Sequence, residues 1–210
     1  MTFDLPKLYP ITDRRLSGLT HAGQVARLCE GGARLVQLRE KYLPARAFCA
    51  EVSEALKVAR SFGARLIVND RADVAMVVGA DGVHLGQDDM PPRAARLVLG
   101  DEKLVGCSTH GVEQALAAAE LPVDYVAIGP VFDTSSKENP NPSVGLEGVW
   151  RVRAAVGRAV KLVAIGGITL ETAPSVLEAG ADSVAVIGAL LNTSDPAEIT
   201  RRTRDLLARL

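Results

Sequence analysis

Short apolar runs recur along the chain: KLYPIT (7–12), ARLVQLR (33–39), ARLIVN (64–69), GVHLG (82–86), KLVGCS (103–108), DYVAIGP (124–130), KLVAIGG (161–167) and SVAVIG (183–188). Most are nearly continuous rather than alternating, the signature of strands buried on both faces in a parallel sheet. Helical periodicity lies between them. In PARAFCAEVSEALKVARSFG, Phe48, Val52, Ala55, Leu56 and Ala59 recur at helical spacing, and Gly63 ends the pattern. DPAEITRRTRDLLARL opens with Asp195 as an N-cap and Pro196 at the first helical position; Ile199, Leu206, Leu207 and Leu210 then favour one side.

A weak internal repeat joins the two patterns. CEGGARLVQLR, MVVGADGVHLG, AAELPVDYVAIG and VLEAGADSVAVIG each read as helix end, small-residue turn and apolar strand. Their spacing is too irregular for a solenoid. Strands alternating with helices over this length predict an α/β fold, a single (β/α)8 TIM barrel covering residues 1–210, with an open doubly wound sheet as the alternative.

Composition narrows the function classes. With 24 Lys+Arg against 25 Asp+Glu the net charge is -1, and only 4% of residues are aromatic, so a nucleic-acid partner is not expected. The three cysteines, Cys29, Cys49 and Cys107, are scattered and form no CxxC, which fits a reducing compartment. The first residues, MTFDLPKLYP, do not read as a signal peptide, and no run reaches the ~18 apolar residues of a membrane span. A soluble cytoplasmic protein is expected, with no membrane partner. A homo-oligomer is admitted, its size not fixed by the sequence.

In a barrel, the strand C-termini and the loops after them form the active face. After the second run, QLREK offers Gln37, Arg39 and Lys41, which suit a phosphate or diphosphate; a solvated strand end is the plain alternative. Asn69 and Asp70 end the third run, and Asp88 and Asp89 follow the fourth. Carboxylates at the ends of adjacent strands make a half-shell for Mg2+, which needs only one or two. Capping of the helices that follow is the competing role for each acid. His84 reads as a barrel-interior imidazole, His21 as a helix-start residue, Cys107 as core, and Ser108 as a hydrogen-bonding group without a triad. His110 lies nearer the mouth and is fit to move protons. Gly167 and Gly188, at the ends of the last two strands, can bring backbone N–H groups to a second anion. Between the two anion sites hangs VFDTSSKENPNPSVGLEG (131–148), whose Thr134, Ser136 and Lys137 suggest a lid; a disordered surface insertion is the rival view.

QLREK, VNDRAD, GVHLGQDD, GCSTH, GPVFDTSSKENPNPSVGLEG, AIGGIT and GADSVAVIGAL together resemble the thiamine-phosphate synthase family, in order and over nearly the whole chain. The resemblance implies a (β/α)8 barrel, a transferase of thiamine biosynthesis. It would join 4-amino-2-methyl-5-(diphosphooxymethyl)pyrimidine to 4-methyl-5-(2-phosphooxyethyl)thiazole, giving thiamine phosphate and diphosphate. By position, Gln37, Leu38, Arg39, Glu40, Lys41, Asn69, Ser108 and Lys137 correspond to the pyrimidine-diphosphate site. Arg39, Lys41, Ser108 and Lys137 among them would be catalytic. Asp70 and Asp89 correspond to the Mg2+ ligands. Thr134, Ser135, Ser136, Gly167, Ile187 and Gly188 correspond to the thiazole-phosphate site. Ser136 stands where the family often has threonine and Gly188 where serine is common.

The residue chemistry fits a dissociative substitution. Cations and metal would neutralise the departing diphosphate, and the thiazole nitrogen would capture the pyrimidinylmethyl cation. No protein nucleophile is required. The alternatives are a thiazole tautomerase using His110, a non-catalytic thiamine-phosphate-binding barrel, or another phosphate-binding barrel. An aldolase is disfavoured because no lysine lies within a core run.

Overall fold

A computed structural model of the chain describes residues 4–134 and 141–210. Eight parallel strands close into a barrel in sequence order: β1 Leu8–Thr12, β2 Leu35–Leu38, β3 Arg65–Asn69, β4 Gly82–Leu85, β5 Leu104–Thr109, β6 Tyr125–Ile128, β7 Lys161–Ile165 and β8 Ser183–Val186. Each falls within one of the apolar runs except β5, which extends one residue past its run to Thr109, and β1 pairs with β8 to seal the ring, Leu8 opposite Val184 and Pro10 opposite Val186. The architecture is the expected (β/α)8 barrel; closure excludes the open-sheet alternative.

The helices are α1 Arg14–Ser17, α2 His21–Glu30, α3 Ala45–Ser61, α4 Ala72–Val78, α5 Pro92–Leu99, α6 Val112–Ala119, α7 Gly145–Val156, α8 Ala173–Glu178, α9 Gly188–Leu191 and α10 Pro196–Leu207. The five apolar positions read from the α3 sequence are the five it buries. In α10, the Asp195 side chain accepts from the Ala197 N–H at 2.9 Å, and the buried stripe is Ile199, Thr203 and Leu206. Leu207 and Leu210 are only partly buried against the core. His21 is the first residue of α2, with Thr20 as its cap. The long polar segment 131–148 is shorter than the sequence suggests, because Gly145–Gly148 already belong to α7.

Strand alternation sorts side chains between two cores. Leu35 faces the barrel interior with Tyr9, Ile67, Leu104, Tyr125 and Val163. Its neighbours Val36 and Leu38 face the helices and join the larger outer cluster. The burial of both faces explains why the strands read as unbroken apolar runs.

The repeat also has a structural meaning. Asp81, Asp124 and Asp182 stand just before β4, β6 and β8. Their carboxylates accept the N–H of Leu66, Val105 and Leu162, at 2.8, 2.7 and 2.8 Å, on the preceding strand. The turn before each strand is thereby pinned to its neighbour at the N-terminal end of the barrel. That leaves the opposite rim to carry chemistry.

Candidate active site

The C-terminal strand ends open into a cavity of about 450 Å³. A second of about 250 Å³ adjoins it, and Arg39, Asn69, His84, Ser108 and His110 line both. The smaller one is charged, with Arg39, Lys41, Asp70, Asp88 and Asp89 on its walls.

None of the three acids caps a helix. The cap residues of α4 and α5 are Arg71 and Pro91, and neither helix has a side-chain capping bond. Asp70 instead ion-pairs with Lys41 across the β2–β3 rim. Its φ of 65° lies in the left-handed region, which aspartate tolerates better than most residues. Its own N–H is held by the His84 carbonyl at 2.7 Å. Asp89 Oδ2 accepts the Gly86 N–H at 2.6 Å. Burial pushes the Asp89 carboxyl up, the Gly86 amide opposes this, and the adjoining Asp70 carboxylate pushes it up further.

Two carboxylates crowded beside each other without a helix to cap are a donor set that suits a hard cation. Among the described residues no group of three or more His, Cys, Asp or Glu side chains is arranged to hold a metal. A two-carboxylate site therefore fits Mg2+, which takes its remaining oxygens from water and phosphate, and does not fit zinc.

The cations are held by the first loops. Arg39 lies 3.5 Å from Asp13 Oδ2, and its N–H donates to Thr12 Oγ1 at 3.3 Å. Burial alone would raise the Asp13 carboxyl, but hydrogen bonds and charge from Arg15, with the charge of Arg39, hold it below the usual range. Glu40 turns away from the cavities. It accepts the N–H groups of Lys41 and Tyr42 at 2.8 and 2.7 Å, and its other oxygen meets His21 Nε2 at 3.3 Å. Leu38 points into the outer core. Of the stretch 37–41, then, Gln37, Arg39 and Lys41 line the cavities. Strand parity turns the Leu38 side chain outward and the turn after β2 engages that of Glu40, which leaves their backbone groups as what either could offer a substrate.

On β5, Ser108 Oγ lies 2.8 Å from His84 Nε2. His110 Nδ1 is 2.7 Å from the Gly129 carbonyl, which can only accept, so this nitrogen carries the proton. Across the larger cavity stand Thr134, Gly167, Ile187 and Gly188. Gly167 has φ 63°, and a Cβ there would sit 2.5 Å from the Asp133 carbonyl, so the loop base needs glycine as much as any ligand does. At Gly188 a Cβ would meet nothing within 4 Å, so the space that a serine would fill is open. Ser135, Ser136 and Lys137 lie outside the described residues, and with them most of the lid reading.

Sequence reasoning missed Asp133, Asn141, Thr169 and Asn192, which also line the larger cavity. The polar residues after a strand end were their only signal. It also missed Tyr9 on the cavity floor, whose place on the inward face of β1 was the available clue.

Comparison with known proteins agrees with the geometry. The sequence profile of the family described as thiamine monophosphate synthase matches residues 8–190. The chain is 41% identical over 203 residues to a thiamine-phosphate synthase of Chloroflexus aurantiacus, covering 96% of this chain and 93% of that one. It is 48% identical over 194 residues to one of Koribacter versatilis, covering 89% and 90%. Its structure is similar to a thiamine phosphate pyrophosphorylase from Pyrococcus furiosus, with a TM-score of 0.86 at 35% identity over 97% of this chain and 94% of that one. Profile, relatives and fold agree over almost the full length, and the chain belongs to the thiamine monophosphate synthase family.

Proposed function

We propose that this protein is a thiamine-phosphate synthase that uses Mg2+. It joins 4-amino-2-methyl-5-(diphosphooxymethyl)pyrimidine to 4-methyl-5-(2-phosphooxyethyl)thiazole. The observation that carries the reading is the convergence of Asp70 and Asp89 with Arg39 and Lys41 on one small cavity, open to a larger one floored by the β7 and β8 ends. Magnesium held by Asp70 and Asp89 would supply neutralising charge to the diphosphate.

The chain's own groups do the rest. Arg39, Lys41 and Ser108 meet the diphosphate, together with Lys137. Gln37 and Asn69 orient the pyrimidine. The bond between the pyrimidine methylene and the diphosphate oxygen breaks, and its electron pair leaves with the diphosphate. The thiazole nitrogen then donates its lone pair to the methylene carbon. Backbone amides at Gly167 and Gly188, with Thr134, Ser135, Ser136 and Ile187, hold the thiazole phosphate so that this nitrogen faces the carbon. The exchange is balanced without a protein base or nucleophile.

The test is diphosphate release from both substrates, with and without Mg2+. Release should need both substrates and the metal, and Asp89→Ala should lower it by at least ~100-fold at limiting Mg2+, the scale of losing a key electrostatic element. Full turnover by Asp89→Ala would overturn the metal assignment. A second reading, thiazole tautomerase, draws on His110, whose ring lines both cavities with Nδ1 anchored. It predicts isomerisation of a thiazole carboxylate phosphate that is lost in His110→Asn and indifferent to Asp89→Ala.

A further inference from the structure

Barrel interiors are usually filled by branched aliphatic layers. Leu35, Ile67, Leu104 and Val163 follow this rule. A string of polar side chains breaks it. Gln37 Nε2 donates to Tyr9 Oη at 3.2 Å, and Tyr9 Oη is 2.9 Å from Tyr125 Oη. Tyr125 Oη is 3.1 Å from His84 Nδ1, and His84 Nε2 is 2.8 Å from Ser108 Oγ. These residues come from β2, β1, β6, β4 and β5, so the string crosses the barrel under the cavity floor. Tyr125 reaches its place because β5 carries Gly106, where a Cβ would stand 2.1 Å from Tyr125 Cζ. The His84 ring stacks on Tyr125, with centroids 5.6 Å apart and planes 16° apart.

Hydrogen-bond chemistry gives this string a direction. Gln37 Nε2 donates to the Tyr9 oxygen; Tyr9 is buried, its own proton needs an acceptor, and Tyr125 Oη is the acceptor beside it, which sets the direction of that bond. Tyr125 in turn directs its proton to His84 Nδ1, which must be bare to accept it. With Nδ1 accepting, the ring proton sits on Nε2, which gives it to Ser108 Oγ. The Ser108 proton is left to point away from His84, and Ser108 lines both cavities. The two phenols remain protonated donors because burial raises both.

We propose that this buried string runs one way, from Gln37 through Tyr9, Tyr125 and His84, and fixes the Ser108 hydroxyl as a donor to the diphosphate oxygens of the substrate. Tyr9, Tyr125 and His84 are then positioning residues. The ligand's identity rests on the synthase reading above; the direction of the string does not. An aimed donor needs no reorganisation as charge develops on the leaving group, which is where such a bond is most effective. It also couples the Gln37 end of the site to the Ser108 end.

The direct test is ¹⁵N NMR of histidine-labelled protein without substrate, with the His84 signal assigned by its loss in His84→Gln. His84 should show the tautomer with a protonated Nε2 and a bare Nδ1. An Nδ1–H tautomer in the unmodified protein would overturn the proposal. Tyr125→Phe keeps the ring and removes the hub hydroxyl. It should release the tautomer preference and lower kcat on the order of tenfold, less than the 10²–10³ lost with a whole preorganised donor. In Ser108→Ala the same change should cost nothing more; independent, multiplying losses would overturn the proposal, since a structural role alone predicts them. Should Tyr125→Phe not fold, Tyr9→Phe cuts the string one link upstream and carries the same expectation. If the unmodified protein releases no diphosphate, the synthase reading fails, while the tautomer still decides the direction of the string.

Discussion

His21 and Glu40 show how a site is held by residues that never face it. His21 Nδ1 bonds Thr12 Oγ1 at 2.8 Å, and Nε2 reaches Glu40, whose carboxylate braces the turn that presents Lys41. Burial pushes the His21 pKa down, more than Glu40 raises it. The folded state therefore refuses a proton that the unfolded chain accepts near its ordinary value of about 6.5. Stability contributed by neutral His21 is intact above that pH and falls as pH drops toward the lowered folded value, by up to ~1.4 kcal/mol per unit. Urea unfolding at pH 7.5 and 5.5 should show this loss, and His21→Gln should flatten it. Glu40 and Asp13 are held low, so their losses come at more acid pH. At this scale the sequence was informative where polarity interrupts an apolar run, as at Gln37, Asn69 and Ser108. It was silent on partnerships such as Tyr9 with Tyr125, 116 positions apart, because only ring closure brings them together.

The αβ turn is the unit at the scale of elements. The repeated small-residue turn was legible, but not why aspartate recurs in three of its copies. Asp182 answers this most fully: its carboxylate takes the Leu162 N–H, and the same oxygen meets the buried Arg153 guanidinium at 2.5 Å. Arg153 also donates to the Gly180 carbonyl, so one arginine and one aspartate tie α7, β7 and β8 together. Asp182→Ala removes the counter-charge of that guanidinium and strands an amide, and should cost about 3 kcal/mol, the scale of breaking a buried pair from one side. Thermal unfolding would read it, while the opposite rim should keep its activity per folded molecule. Element positions were legible because parallel strands buried on both faces leave long apolar runs. The short helices α1 and α9 were not, since four residues carry no period.

At the scale of the whole molecule, the candidate site sits on one rim and the pinning carboxylates on the other. The two cavities draw on distant segments, Arg39 and Lys41 from one, Gly167 and Gly188 from others. Ligand binding should therefore stabilise the barrel as a unit. Diphosphate with Mg2+ at ~100 times its Kd adds about 2.7 kcal/mol. In a chain of this size that raises Tm by roughly 5–10 °C. Differential scanning fluorimetry should show this rise with both components and a much smaller one with either alone. The shared rim was legible from strand order, and its acids were read as neighbours from their adjacent strands, whereas the ion pair of Asp70 with Lys41 was not legible. One backbone angle at that rim carries a cost for the entire fold. Asp70 occupies a conformation that glycine adopts freely, beside another carboxylate that repels it, and its ion pair with the exposed Lys41 is of the kind that contributes little to stability. Asp70→Gly should therefore melt a few degrees higher, the equivalent of about 1 kcal/mol, while losing turnover. Heat resistance and catalysis pull this position in opposite directions, so a screen for hardier variants that ignores product formation would select the inactive protein.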